Sequence, residues 1–347
     1  MADQAQKAGD NVIKIQAGGK AARHGDSIAE ARELALDVFR ANFFDLFGVA
    51  KDMARSRAEE VTEKFLKKLQ DEHEIGLKQA QEPDFQHALF SIQKEYALYG
   101  DRALGELLVD LLVDRTKHPS RSVLQIVLNE ALAVAPRLAP DQIAALSLIF
   151  LFKYTINRGI IDHRTLWEYL DRYIAPFAPF IGLKAAGFQH LEYSGCGTMG
   201  LGSVDLAEVF RRSYGGLFSE GFDNAKREAK RLSLAKSHAI FMPCLNDATR
   251  LQVRAMTEEV IRTECTRLGI KGDDVLKLVA LHNETLMVPD EVREHVSKER
   301  DYMRSLFEVW KGSKMNRFTL SSVGIAIGHA NVKKNLGEFT DLSIWIN

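Results

Sequence analysis

The chain has 347 residues, 46% hydrophobic and 27% charged, with 46 Lys and Arg against 47 Asp and Glu and a formal net charge of −1. That length accommodates two or three structural units with real cores, and the near-neutral charge excludes a global attraction to nucleic acid or to anionic membrane. Three scattered cysteines, Cys196, Cys244 and Cys265, form no C-x-x-C pair, which excludes a disulfide framework and a zinc ribbon and points to the cytoplasm.

The first residues, MADQAQKAGDN, are polar and lack the apolar core of a signal peptide. From Gly9 to Asp26 the sequence reads GDNVIKIQAGGKAARHGD. Val12, Lys14 and Gln16 alternate with Ile13, Ile15 and Ala17, and Gly18-Gly19 can turn the chain at positive φ. The stretch 11–24 is therefore expected to form a glycine-centred pair of short strands. A lone hairpin is only marginally stable in water, so this one should rest on the helical body, stay loose, or pair with copies in other chains. In the last case Asn11, Ile13, Ile15, Gln16, Gly18 and Gly19 would carry oligomerisation, with Asn and Gln side chains laddering between stacked strands.

The rest reads as helix. Ser27-Ile28-Ala29-Glu30 is a capping box; the helix it opens is expected to reach about Phe47, and a more charged one to cover 52–81 before Pro83. Helices follow at 84–99, 101–116, 120–135 and 140–157, punctuated by Gly100-Asp101, Pro119-Ser120 and Pro136 to Pro140. Their short connections make antiparallel neighbours. The apolar run 143–152, IAALSLIFLF, is closed by Lys153; a bilayer needs about 20 apolar residues, so a core helix and no membrane span is expected. A helix over 162–174 leads into IAPFAPFIG and a glycine-rich junction at 182–202. Further helices are expected from Ser203 and at 246–268, 272–284, 289–311 and 319–334, and the ending DLSIWIN alternates like a short strand at 341–346. The fold class is mainly α, a multi-helix bundle or helical-repeat-like body with short terminal β-strands. Its segments are 1–26, a short β element; 27–181, a helical body; and 182–347, the junction and a helical C-terminal unit.

Few residues suggest chemistry. HLEYSGCGTMGLG, 190–202, places His190, Glu192 and Cys196 in one glycine-rich loop. His190 could act as base for a Cys196 thiolate, with glycine amides as oxyanion donors; the competing reading is a tightly packed loop, and it has the larger weight. No Walker lysine follows those glycines, and His282-Asn283-Glu284 lacks the second histidine of a zinc helix, so no cofactor or metal is expected. Asp110 and Asp114 share a helix face, with Arg115 or Arg121 available to neutralise them. Lys226, Arg227, Lys230 and Arg231 form a basic helix side interleaved with acids, read as a solvated face.

Two resemblances rest on quoted residues. Asn11, Ile15, Ala17, Gly18, Ala21, His24, Gly25 and Asp26 form a pattern that resembles the short amyloid-signalling motifs of fungal and bacterial immune proteins. The segments at 35–43, 107–132, 188–200 and 320–334, together with the DLSIWIN ending, resemble a family of bacterial proteins known by locus tags and without an established activity. Members of that family typically begin with a GDN…IQAGGD-type element; here Lys20 replaces the aspartate. The resemblance implies bacterial accessory genes, where defence functions collect. The expectation is a non-enzymatic, self-associating homo-oligomer in phage defence or stress response, assembled through the opening β element. Whether the chain is an enzyme stays open: the alternatives are a cysteine-dependent enzyme at His190 and Cys196, or a ligand sensor with a pocket between the helical units.

Overall fold

A computed structural model describes residues 28–42, 48–180, 182 and 184–346. The opening β element, with Asn11, Ile13, Ile15, Gln16, Gly18 and Gly19, and the cap at Ser27 lie outside those residues. The described chain is mainly α, with four strands of three residues each.

Contacts divide it into two units, one ending at Pro136 and one beginning at Arg137. The boundary expected from the sequence is at 181. The difference lies in the apolar helix at 143–152, whose partner is a helix from the end of the chain.

In the first unit, α1 (Ile28–Asn42), α2 (Val49–His73), α3 (Pro83–Tyr99), α4 (Arg102–Thr116) and α5 (Val123–Val134) follow one another. Local signals set their ends. Pro83 stands at the first position of α3, Gly100 closes it at φ 65°, and the Asp101 carboxylate caps α4 by accepting from Leu104 N–H. The expected helix 52–81 stays α only to His73 and then tightens into a 3-10 stretch, Glu74–Gln81. The core joins Phe65 to Phe85, ring centres 5.8 Å apart, and Leu69, Ile92, Leu108 and Leu111 of the same unit are buried too. Buried Gln93 ties three helices together: its amide donates to Thr62 Oγ1 (2.9 Å) on α2 and to the Ala35 carbonyl (3.2 Å) on α1.

The second unit centres on α6 (Pro140–Tyr154) and α15 (Ser322–Leu336). Close approach is built into α15. A methyl at Gly328 would lie 2.9 Å from the Leu146 carbonyl oxygen of α6, and one at Gly324 would overlap the Cys196 carbonyl. Asn331 on α15 donates to Ser147 Oγ on α6 at 2.8 Å. Between these helices in sequence lie α7 (His163–Tyr169), α8 (Ala185–Tyr193), β1 (Gly197–Met199), α9 (Leu206–Tyr214) and α10 (Asn224–Ala229). Then come β2 (Phe241–Pro243), β3 (Leu251–Val253), α11 (Glu258–Arg267), α12 (Asp273–Asn283), α13 (Pro289–Glu299), α14 (Asp301–Gly312) and β4 (Phe318–Leu320). β1 pairs antiparallel with β4, Thr198 opposite Thr319, and β2 with β3, Met242 opposite Gln252.

Three expected elements change. The helix at 246–268 exists only from Glu258, because Leu251–Val253 pairs as a strand with Phe241–Pro243. The helix at 289–311 breaks at Arg300, held extended at φ −140° while its guanidinium grips Asp171 at 2.7 and 2.8 Å and covers Trp167. The expected terminal strand at 341–346 is instead a 3-10 turn, Leu342–Ile344. Leu342 and Ile346 are buried while Ile344 is 59% exposed, whereas a strand would put all three on one face. Trp345 fixes the turn by donating to the Tyr154 carbonyl at 2.8 Å.

Candidate functional site

The glycine-rich junction was the first candidate. α8 carries His190 and Glu192, and Cys196 lies in the tight turn that follows. The turn is held by backbone bonds: Cys196 N–H donates to the Leu191 carbonyl (2.9 Å), and its own carbonyl accepts from Ser321 N–H (3.1 Å). Gly195 at φ 75° makes the reversal that a side chain would resist. His190 Nδ1 pairs with the Gln142 amide at 3.0 Å, and its Nε2 lies 3.5 Å from Ser194 Oγ. Glu192 accepts from Met199 N–H at 2.7 Å, clamping the loop across the turn.

Cys196 is fully buried, and burial pushes its thiol up to about 12. Such a thiol stays protonated at neutral pH and is inert as a nucleophile. Among the described residues no hydrogen bond joins His190 to Cys196. The junction is put together as a packed reversal: His190 is held by Gln142, Glu192 holds backbone, and the Cys196 backbone lies against Gly324 of α15. Cys244 and Cys265 are buried too, and the Cys244 thiol donates to the Ser219 carbonyl at 3.2 Å.

The other features noted in the sequence are accounted for by neighbours. The basic run is tied down: Arg227 donates to the Leu234 carbonyl (2.7 Å), and Lys230 pairs with Glu284 at 2.5 Å. Asp110 and Asp114 are matched by lysines, not by the arginines expected: Lys68 reaches Asp110 at 2.5 Å and Lys117 reaches Asp114 at 2.9 Å. Lys153, which closes the apolar run, donates to the carbonyls of Asn316 (3.0 Å) and Phe318 (2.9 Å) and lies 5.5 Å over the Trp310 ring. Burial lowers its ammonium to about 8, and its role is to hold β4 on α6.

A cleft in the first unit went unremarked in the sequence. Its volume is about 860 Å³, within the range of small-ligand pockets. One wall is the stretch from Lys78 to Asp84; the other runs from Pro119 along α5 to Ala133. Arg115 joins the walls from behind. It is 1% exposed, its Nε donates to Asn129 Oδ1 at 2.7 Å, and its terminal nitrogen pairs with Asp84. Asp84 is thereby neutralised. The amide orientations follow from the bonds behind them. Asn129 has given its oxygen to Arg115, so its N–H₂ is left as donor. Gln125 donates its N–H₂ to the Pro119 carbonyl (3.4 Å), so its oxygen is left as acceptor.

Lys78, Glu82, Arg121 and Glu130 also line this cleft, and none of the four forms an ion pair among the described residues. The signal available in the sequence was Arg115, a cation on a leucine- and valine-rich helix that must find a partner when buried. Its partners, Asp84 and Asn129, come from two other helices, and no spacing rule reaches them.

No curated protein and no solved structure matches the chain. A family model, described only as a "-like" family and named by locus tag, matches residues 25–346, far more than half of the sequence. The chain therefore belongs to that uncharacterised family.

Proposed function

We propose that this protein acts by binding, and that the cleft of the first unit is its ligand site. One observation carries the reading: a cleft of about 860 Å³ whose walls are locked by a buried arginine paired with Asp84, while Lys78, Glu82, Arg121 and Glu130 on its lining form no ion pair among the described residues. Charges left unpaired beside fixed amides form a preorganised site, which lowers the ordering cost of binding. The state of Cys196 weighs against the thiol enzyme, since a buried, protonated sulfur has neither a free path nor a thiolate.

The test uses the full chain. A panel of charged metabolites is screened by thermal shift against the native protein and against Ala133→Trp, which fills the cleft with an indole. A ligand present at about 100 times its Kd stabilises by about 2.7 kcal/mol. Such a shift in the native protein, lost in the variant, supports the reading. A shift of equal size in both, or none across the panel, overturns it.

A second reading is self-association in a defence or stress setting. Tyr193 at 90% and Leu201 at 103% exposure are large apolar side chains held out from the junction loop, and the strand pattern at 9–26 supplies a pairing element. Light scattering on the full chain and on a version starting at Ser27 tests it. A smaller mass for the shortened chain supports assembly through the opening element; equal masses remove it.

A further inference from the structure

The cleft says more about its ligand than that it is small. We propose that it takes a short extended peptide of about four residues with both termini free. This rests on the reading of the cleft as the ligand site.

The α5 wall presents a fixed order of chemistry. Arg121 stands just before the helix, Gln125 and Ile126 come next, and Asn129 and Glu130 follow. The outer two are an unpaired cation and an unpaired anion, and Ile126 between them is 39% exposed. Seven helical positions at 1.5 Å each carry the wall roughly 11 Å along the axis from Val123 to Glu130, and Arg121 stands two residues before that. An extended chain covers 3.3–3.6 Å per residue, so about four residues fill that length. A terminal carboxylate then meets Arg121, a terminal ammonium meets Glu130, and an apolar side chain lies on Ile126.

The two amides complete the match. Gln125 offers an oxygen and Asn129 an N–H₂, the acceptor and the donor that a peptide group's own N–H and C=O require. A hydrocarbon diacid or a diamine has no such groups between its ends and carries one sign of charge only. The facing wall repeats the pair of signs with Lys78 and Glu82, so a ligand with two like charges meets repulsion on both sides. Arg115 keeps this arrangement standing: its guanidinium balances the carboxylate of Asp84 and orients the amide of Asn129.

Calorimetry on the full chain decides the matter, with the tetrapeptide Ala-Leu-Leu-Ala as probe in free, N-acetylated and C-amidated forms. Binding of the free form is expected, with each cap weakening it about tenfold or more through loss of a charge-assisted hydrogen bond. Arg121→Ala should erase the penalty of amidation and keep that of acetylation; Glu130→Gln should do the reverse. Both residues are exposed, so neither variant threatens the fold. If capped and free peptides bind alike, the peptide inference is overturned. It is also overturned if the peptide gives no heat while a singly charged metabolite binds and is lost in Ala133→Trp; the cleft reading then survives. If the peptide binds equally well to Ala133→Trp, or nothing binds at all, both fall.

Discussion

Among the helices buried on nearly every side, α4 and α6 are accommodated by contrasting means. α4, in the first unit, carries Asp110, Asp114 and Arg115 among its leucines and valines, all three buried. Lys68, Lys117 and Asp84 answer them from neighbouring segments. α6, in the second unit, has no fully buried charge: its inward polar groups are Gln142 and Ser147, and half-buried Lys153 at its end is answered by backbone carbonyls. It is held by shape, with Gly328 of α15 letting one backbone lie against the other. Charges fix which partner and which rotation, because a misplaced buried carboxylate costs several kcal/mol. Close packing fixes distance, because a single added methyl has nowhere to go. The cleft of about 860 Å³ is on the charged side of that contrast, where an arginine can serve the core and the cleft wall at once.

Breaking the charged side should have the larger effect. Lys68→Met removes the ammonium from Asp110, which is 1% exposed. We expect a loss of about 3 kcal/mol or more in urea unfolding, largely recovered when Asp110→Asn is added. A loss below about 1 kcal/mol would show that the pair adds little. On the packed side, Gly324→Ala forces a methyl against the Cys196 carbonyl. Overpacking of this kind costs about 2 kcal/mol. Gly312→Ala, where nothing lies within 4 Å, is the control and should be near neutral. Equal effects at the two glycines would remove close packing as the constraint on α15.

The same contrast explains what could be read from the sequence. α3 and α4 were legible almost to the residue because Pro83, Gly100 and Asp101 act within a few positions of themselves. The mainly helical fold was legible for the same reason. The strand at Leu251–Val253 was hidden inside a helical pattern, since its pairing with Phe241–Pro243 is a long-range choice. DLSIWIN alternates like a strand, but the Trp345 bond to Tyr154, nearly two hundred positions away, made it a turn. His190, Glu192 and Cys196 do fall in one loop, yet proximity in sequence said nothing of burial, and burial decides the sulfur's chemistry. The cleft was invisible because its amides and charges come from three separated stretches, none with a motif.

The last test concerns a titratable group buried in the second unit without an ion pair among the described residues. His282 on α12 is 4% exposed, and burial lowers its pKa to about 4, the field of Glu258 opposing this only in part. In the unfolded chain its pKa returns to about 6.5. Between those values the unfolded state binds a proton that the native state refuses, so acid favours unfolding. The contribution is complete above pH 6.5, declines as pH falls toward 4, and is lost below that. At pH 5 the deficit is about 2 kcal/mol. His282→Leu should therefore flatten the fall in stability between pH 7 and pH 5 measured by urea unfolding. If His282→Leu keeps the native slope, the acid sensitivity of the second unit belongs to another group, and burial alone does not set the imidazole's charge.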